Sequence, residues 1–306
     1  MQPLYYYIKH LRYTAKRFLI LYCNKLPDKL YIRIMFYVQT GKLLHLNPPI
    51  TFNEKLQWLK LYDRNPRYVC LVDKYAVKEF VANTIGMKYV IPTLGVWDNP
   101  DSIEWDNLPN QFVLKTTHGG GGDGVFICRD KTSLKKEEVI ARMNKALCQD
   151  LYVKFREWPY KGVKKRIIAE KYMYNSDVND MSEEITELTD YKFYCFDGKI
   201  ECVLVCKGRQ EGVKYYYFDR DWNFLRWDKD SYLLPVDFTL PKPRNLDVML
   251  SISSDLSKGI PHVRVDLYEI DGQVYFGELT FYTSAGYDLR ITKECDIYLG
   301  TCIKLK

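Results

Sequence analysis

The chain has 306 residues, 47% of them hydrophobic and 27% charged, with 17 glycines and 13 prolines. This ordinary globular composition suits two domains or one large one and excludes disordered, collagen-like and low-complexity proteins. The net charge of +6 is unevenly placed: residues 1–50 hold eight Lys and Arg against Asp28 alone, for +7, and the rest of the chain sums to −1. A basic arm on a nearly neutral body argues against a nucleic-acid footprint over the whole protein.

The first fifty residues read as a basic helical segment. Their longest apolar run, residues 18–23, falls short of the roughly 20 residues of a spanning helix. Lys9, Arg12, Lys16, Arg17 and Lys25 break the stretches that a signal peptide needs, so a cytoplasmic protein is expected. Aromatics mingle with these charges at Tyr5, Tyr6, Tyr7, Tyr13, Phe18, Tyr22, Tyr31, Phe36 and Tyr37. Such a mixture fits a helical cap with solvated charges, and it also fits a segment lying on an anionic membrane surface. The nine cysteines are an odd number with no C-x-x-C pair, which points to buried thiols rather than disulfides or zinc.

Residues 51–110 form a second, helical region. Thr51 and Glu54 make a capping-box pattern ahead of Leu56, Leu59 and Leu61. A helix is expected to open at Asp73 and close at Gly86, and residues 89–97 read as extended. From residue 111 to 172 the texture changes to strands at 112–115, 125–128 and 166–173, with an amphipathic helix over 134–148. Within the final region, residues 173–306, strands are expected around 191–196 and 200–205 across the hairpin signal Asp197-Gly198. A helix over 245–258, capped by Asn245 and ended by Gly259, precedes a last β-hairpin over 262–281.

That last hairpin carries the most chemistry. With a three-residue turn at Asp271, Gly272 and Gln273, residue 270 pairs with 274, 266 with 278, and 264 with 280. Alternation then puts Arg264, Asp266, Glu278 and Thr280 on one face and Val263, Val265, Leu267, Leu279 and Phe281 in the core. Directly opposed carboxylates repel unless something cationic separates them. A hard divalent cation, Mg²⁺, does so; alternatively Arg264 neutralises one carboxylate and solvent screens the other. A strict two-residue turn would set Asp266 and Glu278 on opposite faces and weaken the metal reading.

Lys115 ends a strand and is followed by Thr116, Thr117, His118, Gly119, Gly120, Gly121, Gly122, Asp123 and Gly124. Glycines let backbone N–H groups approach phosphate oxygens closely. The lysine precedes the glycines and a strand follows them, so this is no Walker loop but a flap between strands. A mobile hairpin tip has the same composition, and His118 reads equally as a loop residue bonded to backbone. No Ser/His/Asp or Cys/His arrangement stands out for nucleophilic catalysis.

In chain order the sequence offers residues 51–60 (TFNEKLQWLK), Asp73-Lys74-Tyr75, residues 91–96 (IPTLGV), 112–115 (FVLK), Glu170-Lys171-Tyr172, 190–193 (DYKF), 263–268 (VRVDLY) and 276–281 (FGELTF). From about residue 45 onward this series resembles the TupA-like branch of the ATP-grasp superfamily. The resemblance implies an α+β, ATP-grasp fold: two β-rich subdomains clasping ATP, with a short helical region before them. It implies ATP and Mg²⁺ as cofactors. Lys74 and Lys115 would contact phosphates beneath the glycine flap, with His118 beside it. Glu170, Lys171 and Tyr172 would form the adenine hinge, and Asp190 would lie near the ribose. Lys192 and Arg209 would face the terminal phosphate, Arg264 would stabilise developing charge, and Asp266, Glu278 and Thr280 would hold the metal. Many ATP-grasp ligases have Asn where Thr280 stands, but the TupA-like branch shares the threonine.

The activity so implied is carboxylate–amine ligation through an acyl phosphate, joining an amino acid or small amine to a uronic acid in capsular or cell-surface polysaccharide biosynthesis. The partners would be a small-molecule or sugar-nucleotide carboxylate and an amine, with no nucleic acid; peripheral contact with the inner membrane surface or with glycan-assembly machinery is compatible with the basic segment. Alternatives are a sugar or glycan kinase, a sugar transferase, or a non-catalytic member of a glycan-assembly complex.

Overall fold

The computed structural model describes residues 2–120, 122, 124–175, 188–208 and 212–305, apart from the side chains of 2–9. Helices come first. α1 (Gln2–Tyr22) and α2 (Asp28–Thr40) pack together around Leu19, Tyr31, Ile32, Met35 and Phe36. α3 (Phe52–Tyr62) opens at the expected capping box: the Thr51 hydroxyl accepts the Glu54 N–H at 3.3 Å, and the Glu54 carboxylate accepts the Thr51 N–H at 3.0 Å. α4 (Arg67–Val72) and α5 (Val77–Ile85) follow. The helix expected to open at Asp73 begins at Val77 instead, because the Asp73 carboxylate accepts the N–H groups of Tyr75 and Ala76 at 2.8 and 3.1 Å and turns the chain first.

Four antiparallel strands make the smaller sheet: β1 (Thr93–Trp97), β2 (Phe112–Thr116), β3 (Val125–Cys128) and β4 (Ile167–Lys171), in the order β1-β4-β2-β3. α6 (Lys136–Leu147) lays Val139 and Met143 against Phe112, Leu114, Ile167 and Ala169, and α7 (Leu151–Phe155) follows it. The larger antiparallel sheet contains β5 (Asp190–Phe196), β6 (Lys199–Lys207), β7 (Lys214–Phe218), β8 (Phe224–Leu225), β9 (Val263–Ile270) and β10 (Gln273–Thr280), in the order β10-β9-β5-β6-β7-β8. Its core face packs on α3, α4, α5, α8 (Leu246–Ser257) and α9 (Lys293–Cys302).

Asn245 precedes α8 but does not cap it. Its side chain donates to Glu269 at 2.7 Å and to the Gly272 carbonyl at 2.8 Å, tying the helix start to the final hairpin. All nine cysteines are free; Cys128, Cys195, Cys202, Cys206 and Cys295 are buried as expected, whereas Cys70 and Cys148 are exposed.

The β9–β10 hairpin differs from expectation at its tip and agrees where the chemistry lies. Asp271 and Gly272, at φ 49° and 73°, close a two-residue turn, so Gln273 pairs with Ile270 and Phe276 with Leu267. Continued unbroken, that register would place Glu278 opposite Val265 and turn it toward the core. A bulge at Gly277 inserts one residue, after which Glu278 faces Asp266 and Thr280 faces Arg264.

Candidate functional site

With that register, Val263, Val265, Leu267, Leu279 and Phe281 enter the core while Arg264, Asp266, Glu278 and Thr280 share the other face. The Arg264 fork grips Asp266, Nε to Oδ1 at 2.6 Å and Nη2 to Oδ2 at 2.7 Å. Its Nη2 also lies 3.1 Å from the Thr280 hydroxyl and 3.6 Å from Glu278. Lys192, paired across from Asp266 on β5, brings Nζ to 2.5 Å from Asp266 and 3.1 Å from the buried Asp190. Lys74 reaches Glu278 at 2.8 Å, and the Thr280 hydroxyl donates to the other Glu278 oxygen at 3.3 Å.

Three carboxylates thus meet three cations in one continuous cluster. Burial works against charge on Glu278, but Lys74 and Arg264 override it and hold the carboxyl well below the usual range. Burial likewise opposes the Arg264 charge, and Asp266 more than compensates, so the guanidinium stays firmly protonated. Arg264 therefore does neutralise Asp266, with help from Lys192, while Lys74 rather than solvent alone answers Glu278.

A second charged cluster belongs to the smaller sheet. Glu170 on β4 accepts Lys115 at 2.6 Å, its diagonal neighbour on β2, and Lys78 from α5 at 2.5 Å. The Lys78 ammonium also donates to the Ile91 carbonyl at 2.7 Å. Burial raises the Glu170 carboxyl, yet the two ammonium groups draw it below its ordinary value. Lys74 links the clusters: its N–H donates to the Thr117 carbonyl at 2.9 Å at the end of β2, while its side chain reaches across to β10. Beside it, Arg166 pairs with Asp73 at 3.0 Å.

The glycine loop is folded tightly over Thr116. A Cβ added to Gly119 or Gly124 would sit 2.3 Å from the Thr116 hydroxyl, and Gly122 has φ 85°. That hydroxyl is buried with no hydrogen-bond partner among the described residues. Gly120 meets Leu151 instead. His118 is buried, its Nε2 3.1 Å from the Gln149 carbonyl; burial, then Lys165, lowers its pKa. Lys171 is exposed at the end of β4 and donates its N–H to Pro92, and Tyr172 stacks on Tyr174. Gly121 and Arg209 lie outside the described residues.

Two contributors escape sequence reasoning. Lys78 carries a signal, since it stands four residues after Lys74, but its partner across the fold does not. Lys60 carries none. Its fully buried ammonium donates to Gln57 at 3.1 Å and to the carbonyls of Phe155 at 3.0 Å and Ala285 at 2.7 Å. Ser284 and Ala285, just past Thr280, both have left-handed backbones at φ 50° and 53°. Burial lowers the Lys60 pKa, against the opposing charge of the buried Glu157.

A family profile described as TupA-like ATPgrasp matches residues 54–304. Among solved structures, N5-carboxyaminoimidazole synthetase from Staphylococcus aureus complexed with ADP has a TM-score of 0.45 and 13% identity, covering 82% of this chain and 58% of that one. D-alanine–D-alanine ligase from Bacillus anthracis has a TM-score of 0.41 and 15% identity, covering 76% and 63%. The Helicobacter pylori D-Ala-D-Ala ligase has a TM-score of 0.42 and 12% identity, covering 81% and 64%. The chain spans less than two thirds of the length of each. Comparison with curated proteins finds no match. The family profile runs through both antiparallel sheets and both charged clusters, and the chain belongs to the TupA-like ATP-grasp family, with its α+β, ATP-grasp fold.

Proposed function

We propose that the chain is an ATP-dependent carboxylate–amine ligase that forms an amide through an acyl phosphate and releases ADP and phosphate. The observation that carries this reading is the opposed pair Asp266 and Glu278, each already matched to a lysine or arginine that a phosphate chain would attract. Two carboxylates and the Thr280 hydroxyl are a hard-oxygen donor set suited to Mg²⁺. Gly119 and Gly124 let the loop close on Thr116, where any Cβ would clash with the hydroxyl, and a glycine-rich backbone of this kind suits contact with phosphate oxygens.

In this reading Lys74 and Lys115 hold phosphates, the loop of Gly119, Gly120, Gly121 and Gly122 covers them, and His118 braces that loop. Glu170 aims Lys115 and Lys78, and the backbone of Glu170, Lys171 and Tyr172 reads the adenine, with Asp190 toward the ribose. Lys192 and Arg209 take the terminal phosphate. Arg264 stabilises charge that develops on the reacting carboxyl, the kind of fixed electrostatic support that dominates acyl transfer. Asp266, Glu278 and Thr280 would hold Mg²⁺, which would supply Lewis-acid neutralisation of phosphate charge. No side-chain nucleophile is required, because positioning and charge stabilisation do the work.

The finer proposal is that the acid is a uronic acid, free or in a sugar nucleotide, and the amine an amino acid or small amine, in cell-surface polysaccharide assembly. The test is ADP release from the purified chain with a panel of uronic acids and amines, with mass spectrometry of the product. Full turnover needing both substrates and yielding an amide is expected, and Asp266→Ala with Glu278→Ala should abolish it. Phosphorylation of a sugar hydroxyl without an amine would identify a kinase instead, and unchanged turnover in the double variant would remove the metal assignment.

A further inference from the structure

Among the described residues, α1 presents a face that nothing covers. Leu19 turns inward to Tyr31, Ile32 and Met35, but Leu11, Phe18 and Tyr22, spaced i, i+7 and i+11 along one line of the helix, are 70%, 57% and 72% exposed. The Phe18 and Tyr22 rings lie 5.2 Å apart, and the exposed Leu21 widens the band on one side. Around it stand the exposed Arg12, Arg17 and Lys25, and no Asp or Glu occurs before Asp28.

Asp28 itself is engaged by the body of the protein. Its carboxylate meets Arg64 at 2.7 Å, Arg156 at 3.1 Å and the Tyr152 hydroxyl at 3.0 Å. Arg156 is buried, stacks 3.9 Å above the Tyr31 ring and donates to the Asn24 carbonyl. The basic, aromatic helix is therefore mounted firmly, with its apolar stripe outward. Among the described residues, no helix is long and apolar enough to cross a membrane.

We propose that α1 lies along an anionic lipid surface, with Leu11, Phe18 and Tyr22 entering beneath the headgroups and Arg12, Arg17 and Lys25 at the level of the lipid phosphates. A second copy of the same helix is a poor occupant, since two segments with cations and no free acid repel each other. Large aromatics set among basic side chains are what an interfacial helix needs, the apolar area giving insertion and the charges giving lipid selectivity. The inference stands apart from the ligase reading, because it uses no residue of the charged clusters.

The test is flotation of the full chain with phosphatidylcholine vesicles, with and without about 30% phosphatidylglycerol, the lipid that supplies the negative surface. Recovery with the anionic vesicles alone is expected, weakening as salt screens the surface. Arg17→Ala should lower the partition coefficient about fivefold, the effect of one surface charge, and Phe18→Glu should remove binding. Both side chains are exposed, so unchanged melting will confirm that the variants fold. Equal recovery with neutral vesicles, or Phe18→Glu floating like the parent, would overturn the proposal. So would a dimer in solution that Phe18→Glu converts to monomer, since the face would then belong to a second copy.

Discussion

Asp266 and Glu278 face each other only because Gly277 is an extra residue between them and the turn. A Cβ there would lie 2.9 Å from the Tyr268 ring and 3.1 Å from the Asp266 carbonyl, part of the backbone that carries the opposing carboxylate. Gly277→Val should therefore lower stability by about 1–3 kcal/mol, the ordinary cost of overpacking. The rise in melting temperature produced by Mg·ATP should shrink by more than that loss accounts for. A full ligand-induced shift in the variant would show that the bulge does not set the site.

Lys74 joins the two sheets through one residue, backbone to Thr117 and ammonium to Glu278. Lys74→Met keeps the stem and its packing and removes the charge. ADP release should fall about 10²-fold, the usual loss for one electrostatic donor at a reacting group, and the melting temperature should fall as well because Glu278 loses its ammonium partner. Steady-state ADP formation and thermal unfolding on the same preparation give both readouts.

Glu170 supplies a pH signature. Its carboxyl is held below the ordinary value by Lys115 and Lys78, against the effect of burial. A depressed folded pKa gives stability that is present above the unfolded value of about 4.3 and disappears as pH falls through the folded one. Glu170→Gln should thus be clearly less stable than the parent at pH 7, and the gap should narrow steadily below pH about 4.3. Melting curves from pH 7 to 3 check this, and a constant gap would mean that the carboxylate charge is irrelevant.

Lys60→Met would leave the Phe155 and Ala285 carbonyls without their ammonium donor inside the core. A cost of about 1–3 kcal/mol is expected, since the Phe155 carbonyl loses its donor while the Ala285 carbonyl keeps the Gln57 amide at 3.1 Å. Urea unfolding measures it. Because the same ammonium braces the left-handed backbone at Ser284 and Ala285, the loop after Thr280 should also show faster amide exchange.

What could be read along the chain was what depends on neighbouring residues. The Thr51 and Glu54 box, the Asp197-Gly198 turn and the alternating faces of the last hairpin all rest on short-range stereochemistry. The two-residue tip was misread, and the right pairing at Asp266 survived because the bulge offsets the shorter turn. Asn245 serves a distant partner, bonding the hairpin instead of its own helix, and Asp73 makes a local turn before α5 where a helix start is expected. Lys78 and Lys60 acquire their significance only from Glu170, Phe155 and Ala285, far away in sequence, and no local pattern announces such pairings.

The matched charges of the larger cluster bear on selectivity. With Lys74, Lys192 and Arg264 already satisfied by Asp190, Asp266 and Glu278, the resting cleft has little appetite for stray anions. A lone phosphate that seizes a lysine strands a carboxylate. In the proposed ligase reading a magnesium–polyphosphate pair would not, for it would hand the carboxylates a new cation while taking their old ones, a swap of partners that would filter ligands by carrying both signs at once.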